Sequence, residues 1–223
     1  MFKKRKKILI LMVMIVSIFV LTACNSKDAL KFKKEYESLN NTIREKDGKK
    51  IRSINIDKNN PMIYKSAGDI INKINNKETF VVYFGFSDCP WCRSILPTLI
   101  DVSNNLNIKT IYYVDVKNIR DTLALDENNE VITQTKGSND YYKLIKLLGN
   151  VLSNYTLTDD NGNKIDTGEK RIYAPNIVSV VDGLPTKATT GISERQADGY
   201  MKLTDEIIND TYKQIENVMK LVK

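Results

Sequence analysis

The sequence predicts an α/β fold, and three observations carry that reading. An apolar run, Phe80-Val81-Val82-Tyr83-Phe84-Gly85-Phe86, empties into a helix that opens with Cys89-Pro90-Trp91-Cys92. A second apolar run, Lys109–Val116, follows that helix, and strand, helix, strand at this spacing is a right-handed parallel crossover. Farther on, Ile177–Val181 turns through Asp182-Gly183 into a strand around Lys187–Thr190, and an amphipathic helix closes the chain.

The elements follow in order. Lys3, Lys4, Arg5, Lys6 and Lys7 precede an uncharged apolar run, Ile8 to Ala23. As a helix that run would reach about 24 Å, short of a bilayer core of roughly 30 Å. A signal peptide over 1–23 fits better than a permanent span. Residues 24–50 read as a helical spacer, a helix from Asn25 to Asp47 with Leu30, Tyr36, Leu39 and Ile43 on one stripe, either spacing the chain from a membrane or packed on the domain. The domain proper is expected over 51–223. Ile51, Ile54 and Ile56 suggest a weak strand. Ser66 with Asp69 resembles a capping box opening a short helix to Asn75.

The redox helix runs from about Cys89 to Leu106. From about 118 to 170 the pattern changes: Asp121 to Gly137 is polar with little period, and Asn139 to Val151 is a helix bearing Tyr142, Ile145, Leu148 and Leu152. Tyr155–Thr158, a turn at Asn161-Gly162, and Lys164-Ile165 form a hairpin signature. Arg171–Val181 reads as a buried strand interrupted by Pro175. The last helix starts at Glu194 or Asp198 and runs to Val222, with Met201, Ile207, Ile208, Tyr212, Ile215, Val218 and Leu221 inward.

Charge and cysteine count narrow the chemistry. The chain has 34 Lys and Arg against 27 Asp and Glu, but five of the basic residues lie in the leader. Without them the balance is 29 to 27, a net of +2, which removes a nucleic-acid reading. There is no histidine, so no Ser-His or Cys-His nucleophile exists and metal sites lose their commonest ligand. Zinc needs four ligands, and Cys89 with Cys92 supplies two. Asp159–Asn163 has the wrong spacing for a calcium loop and reads as a turn. No metal and no cofactor is expected.

Leu21-Thr22-Ala23-Cys24 resembles the bacterial lipoprotein box, which implies cleavage before Cys24, lipid on its sulfur and an extracytoplasmic, lipid-anchored protein. One pair then remains in an oxidising compartment. Residues three apart share a helix face, which puts Cys89 and Cys92 near the Cα separation of a disulfide, roughly 5.5–6 Å. Pro90 suits the first helical position. Cys89 at the helix N-terminus is favoured as a thiolate, the nucleophilic form.

The order of elements resembles the thioredoxin fold. Cys-Pro-Trp-Cys follows a hydrophobic strand, Pro97 lies five residues past Cys92, Pro175 precedes an apolar strand, and a hairpin and helix follow it. The whole chain resembles the bacteriocin-accessory thioredoxin-like lipoproteins. The resemblance implies a central mixed sheet flanked by helices, with an insertion at about 118–170 between the redox helix region and the cis-proline strand. It implies Cys89 as nucleophile, Cys92 as resolving thiol, and a cis peptide at Ala174-Pro175 that presents backbone groups to substrate, with Trp91 exposed for apolar contact. The family's buried acid aligns with Tyr83, a poor base with a free pKa of about 10. Partners would be exported protein thiols or disulfides and a redox partner.

Asp88 would oppose the Cys89 thiolate, partly countered by Arg93. With no histidine between the cysteines, the expected potential lies nearer glutaredoxin than the strongest oxidants, within about −230 to −120 mV. Two other classes compete: a non-catalytic accessory lipoprotein of the same fold, and a small-molecule peroxidase, disfavoured by the paired cysteines.

Overall fold

The computed structural model describes residues 27–223. The leader, the lipoprotein box and Cys24 lie outside the described residues. Among the described residues, no helix is long and apolar enough to cross a membrane.

Five strands form the central sheet, in the order β1 (Met62–Tyr64), β3 (Ile111–Asp115), β2 (Phe80–Gly85), β8 (Asn176–Val181), β9 (Leu184–Thr189). The first three run parallel to one another; β8 and β9 are antiparallel, so the sheet is mixed. Side chains alternate across β2 with period two. Val81 and Tyr83 enter one core with α1 (27–37), α3 (Pro90–Asn105) and α5 (Asp205–Met219). Val82 and Phe84 enter the other, with α2 (Ala67–Asn75) and α4 (Asn139–Leu148). The fold is thioredoxin-like.

The capping box is present: Ser66 Oγ accepts from the Asp69 N–H at 3.1 Å, and Asp69 accepts from the Ser66 N–H at 2.9 Å. Other expectations change. Ile51, Ile54 and Ile56 are buried but form no strand, because the backbone of Ile54 and Ile56 is bonded by side chains of the N-terminal segment. Asn40 bonds both backbone groups of Ile54, at 3.1 and 2.8 Å, and Glu37 accepts the Ile56 N–H at 2.7 Å. The edge strand is Met62–Tyr64 instead.

The spacer assigned to 24–50 is part of the domain. Ala29, Phe32 and Tyr36 of α1 are buried while Leu30 and Ile43 are exposed, and the helix ends ten residues earlier than expected. Arg93 of α3 is wholly buried and fastens this segment. Its guanidinium donates to the carbonyls of Arg52, Tyr36 and Ser87 at 2.7, 2.9 and 2.9 Å, and to Asn40 Oδ1 at 2.6 Å.

The region 118–170 is two hairpins around a helix that belongs to the core. Polar Asp121–Gly137 forms β4 (Thr122–Leu125) and β5 (Val131–Thr135), and β6 (Asn154–Thr158) pairs with β7 (Lys164–Lys170). Helix α4 packs on α2 and buries Leu148, with Leu152 just beyond it, as expected, but Tyr141 and Leu144 in place of Tyr142 and Ile145. An ion pair between buried Asp121 and Arg171 ties the two hairpins' roots together. At the C-terminus α5 begins only after its Thr204 cap, leaving Ile208 and Leu221 exposed. The preceding segment, 191–204, is irregular.

Four hydrogen bonds on one buried guanidinium set the cost of removing it. Arg93→Met leaves those acceptors unpaired and should destabilise the protein by at least about 3 kcal/mol in urea unfolding. Arg93→Lys should restore only part of that, because an ammonium lacks the planar fork.

Candidate active site

The site sits where β2 ends and α3 begins. Cys89 is the N-cap of α3, in an extended conformation that lets its side chain turn back over the first turn, with Pro90 following. Its Sγ accepts the Cys92 N–H at 3.2 Å, and the thiol donates to the Ala174 carbonyl at 3.3 Å. The Ala174-Pro175 peptide is cis. Sequence-distant Cys89 and Pro175 are therefore brought together, as the resemblance implies.

Both thiols are free and buried, Cys89 being 3% exposed and Cys92 0%. For Cys89 the largest influence, burial, disfavours the thiolate. Hydrogen bonds from the Cys92 thiol and N–H and the charge of Arg120 outweigh it, so its pKa falls below the ordinary value. For Cys92 burial is again first, reinforced by the neighbouring Cys89, and the pKa rises well above the ordinary value. The two sulfurs thus differ: Cys89 ionises more readily than an ordinary thiol, and Cys92 less readily.

Arg120 was not singled out in the sequence, since nothing local marks it. It follows β3 directly, and its guanidinium lies over the Phe86 ring at 5.1 Å. Among the described residues it has no carboxylate partner within salt-bridge distance, and it lines the cleft of about 370 Å³ onto which Cys89 opens. The expectation for Arg93 is corrected accordingly: it is turned inward to carbonyls, away from the cleft. Asp88 is engaged instead by Lys117 at 2.8 Å and Arg44 at 4.0 Å. Trp91 is half-buried, packed against the α2–α4 core, rather than fully exposed.

The opposite wall comes from the irregular segment before α5. Gln196 donates to Ser94 Oγ at 3.0 Å, and Gly199 sits so close to Pro90 that a Cβ there would lie 2.9 Å from the proline ring. Arg52 donates to the carbonyls of Gly199 and Met201. The Asp198-Gly199 pair was a legible break in the helix expected from Glu194.

No family model matches the chain, and no curated protein matches it. Among solved structures, thioredoxin O2 from Arabidopsis thaliana in its oxidized state is 17% identical, the match covering 60% of this chain and 85% of that one at a TM-score of 0.33. That likeness goes no further than the fold.

The charge of Arg120 favours the Cys89 thiolate, and its removal tests the balance of forces on the thiol. In Arg120→Ala the thiolate loses that attraction, the titration of Cys89 moves upward, and alkylation at neutral pH should slow roughly threefold. Ultraviolet thiolate absorbance followed against pH gives the same shift independently.

Proposed function

We propose that this chain is a thiol–disulfide oxidoreductase, lipid-anchored through Cys24 outside the cytoplasm, acting on the cysteines of exported proteins. The observation that carries the reading is Cys89 Sγ held between the Cys92 N–H and the Ala174 carbonyl at the start of α3. That geometry favours the thiolate more than an ordinary thiol's surroundings do, beside a strand end that can pair with a peptide.

In the reducing direction the Cys89 thiolate attacks one sulfur of a substrate disulfide. The substrate S–S bond breaks, and its other sulfur leaves as a thiolate. Cys92 then loses its proton and attacks Cys89 Sγ, which closes the Cys89–Cys92 disulfide and releases the second substrate sulfur. The oxidising direction runs the same bonds backwards. Asp88, compensated by Lys117 and Arg44, does little to oppose the thiolate, and no histidine stabilises it further, which supports a moderate potential. Membership among the bacteriocin-accessory lipoproteins belongs to the same proposal and rests on the leader and the Cys-Pro-Trp-Cys sequence.

The deciding measurement is the oxidised fraction of the protein across glutathione redox buffers. The expected midpoint lies between about −230 and −120 mV. Cys89→Ser should abolish disulfide reduction, and Cys92→Ser should accumulate mixed disulfides with substrate. A Cys89→Ser protein that fully replaces the wild type in cells would identify a non-catalytic accessory instead.

A further inference from the structure

Cys92 is fully buried, yet closing the disulfide requires its thiol to lose a proton. Behind it, on the side away from the cleft, stand three buried phenols from three elements: Tyr83 of β2, Tyr36 of α1 and Tyr113 of β3. The Tyr83 hydroxyl lies over Gly85, where an added Cβ would be 2.5 Å from the oxygen and 3.2 Å from Cys92 Sγ. Hydroxyl and thiol flank one small space above Gly85. The Tyr83 and Tyr36 oxygens are 3.5 Å apart. The rings of Tyr36 and Tyr113 meet edge to face at 6.2 Å. Tyr113 donates to Glu35 Oε1 at 3.4 Å, and Tyr64 donates to the other oxygen at 2.5 Å. Glu35 is half-buried at the surface of α1.

We propose that Tyr83, Tyr36 and Tyr113 form a proton relay between the resolving thiol Cys92 and the Glu35 carboxylate. In this relay Tyr83, beside the reacting sulfur, is the catalytic member; Tyr36, Tyr113 and Glu35 position and extend the path. Packing alone does not account for the cluster, since phenylalanine would fill the same space without burying three hydroxyls. Their oxygens face one another, which is how such groups are satisfied.

The step is balanced. The Cys92 proton passes to Tyr83 as the Tyr83 proton passes to Tyr36, that of Tyr36 to Tyr113, and that of Tyr113 to Glu35, which returns it to water. No tyrosine changes charge. The sulfur left behind attacks Cys89 Sγ of the mixed disulfide, and the substrate sulfur leaves with the bonding pair. Burial, the largest influence on each, holds all three phenols far above neutral pH, so they pass protons only as neutral hydroxyls. The charged and titratable groups facing the path are Cys89 and Arg120 at its inner end, Arg93 over the Tyr36 ring, and Asp115, Asp28 and Lys31 around Glu35 and Tyr64.

The relay rests on the proposed oxidoreductase reading, and one experiment separates the two. The full-length protein in detergent is reduced, mixed with oxidised glutathione, and quenched to follow mixed-disulfide formation and ring closure across pH in light and heavy water. In Tyr83→Phe, Tyr36→Phe and Glu35→Gln the closure step should slow about tenfold. The multi-proton solvent isotope effect of the wild type should fall in the same three proteins. Alkylation of Cys89 in Glu35→Gln should stay within about twofold of wild type, because first attack does not use the path. A wild type that never closes its disulfide removes the oxidoreductase reading itself. A wild type that closes, with all three variants closing equally fast, overturns the relay alone. Slow closure in Tyr83→Phe with wild-type closure in Glu35→Gln also overturns it, because the path would then not end at the surface carboxylate.

Discussion

Everything at this site depends on one backbone hydrogen bond, from the N–H of Cys92 to the sulfur of Cys89 inside the first turn of α3. A sulfur 3% exposed is in a poor medium for negative charge, and burial is the largest influence on both thiols. The first turn reverses that for Cys89 because its N–H groups have no partners within the helix and point at the sulfur. Cys92, one turn farther in, gets no comparable set of donors and carries its neighbour's partial charge as an added penalty. Two chemically identical side chains three residues apart thus acquire opposite preferences from position alone.

Holding that turn in place is the work of residues outside the motif. Arg93 points away from the cleft and ties α3 to the backbone of α1 and to the extended run through Arg52. This makes the N-terminal helix a structural partner of the redox helix, and it also delivers Tyr36 behind Cys92. On the other flank, Gln196 and Gly199 press the segment before α5 onto Ser94 and Pro90. The first turn of α3 is clamped from both sides by parts of the chain about 50 residues upstream and about 105 downstream.

What the sequence disclosed depended on whether a pattern had a local cause. The β2–α3–β3 unit was legible because alternation, a helix-opening proline and the cysteine spacing all act within a few residues. The pairing of Cys89 with Pro175 was legible only through resemblance, since nothing local joins them. Ile51–Ile56 misled because its apolar residues are buried as a strand's would be, while its backbone is bonded by Asn40 and Glu37 in place of a neighbouring strand. Helix α4 was found with Leu148 and Leu152 inward, as they are, but with Tyr142 and Ile145 taken in place of Tyr141 and Leu144, because neighbouring apolar residues compete for one face and only packing against α2 selects between them. Hairpin β4–β5 escaped notice because its second strand is solvent-exposed throughout and needs no alternation. Arg93 misled for a similar reason: chain position puts it beside Cys89, and only the fold turns it inward and brings Arg120, far along the chain, to the cleft instead.

The contact between the Cys89 thiol and the Ala174 carbonyl adds a consequence for the order of events. A protonated sulfur donates to that oxygen at 3.3 Å and occupies the acceptor beside the cis peptide. A thiolate has no proton to donate and is repelled by the same carbonyl dipole. Ionisation therefore strengthens the bond to the Cys92 N–H and frees the Ala174 oxygen in one event. Under the proposed oxidoreductase reading, the acceptor that an incoming peptide N–H would need becomes available as the nucleophile becomes competent, and docking and attack would be linked by a single proton.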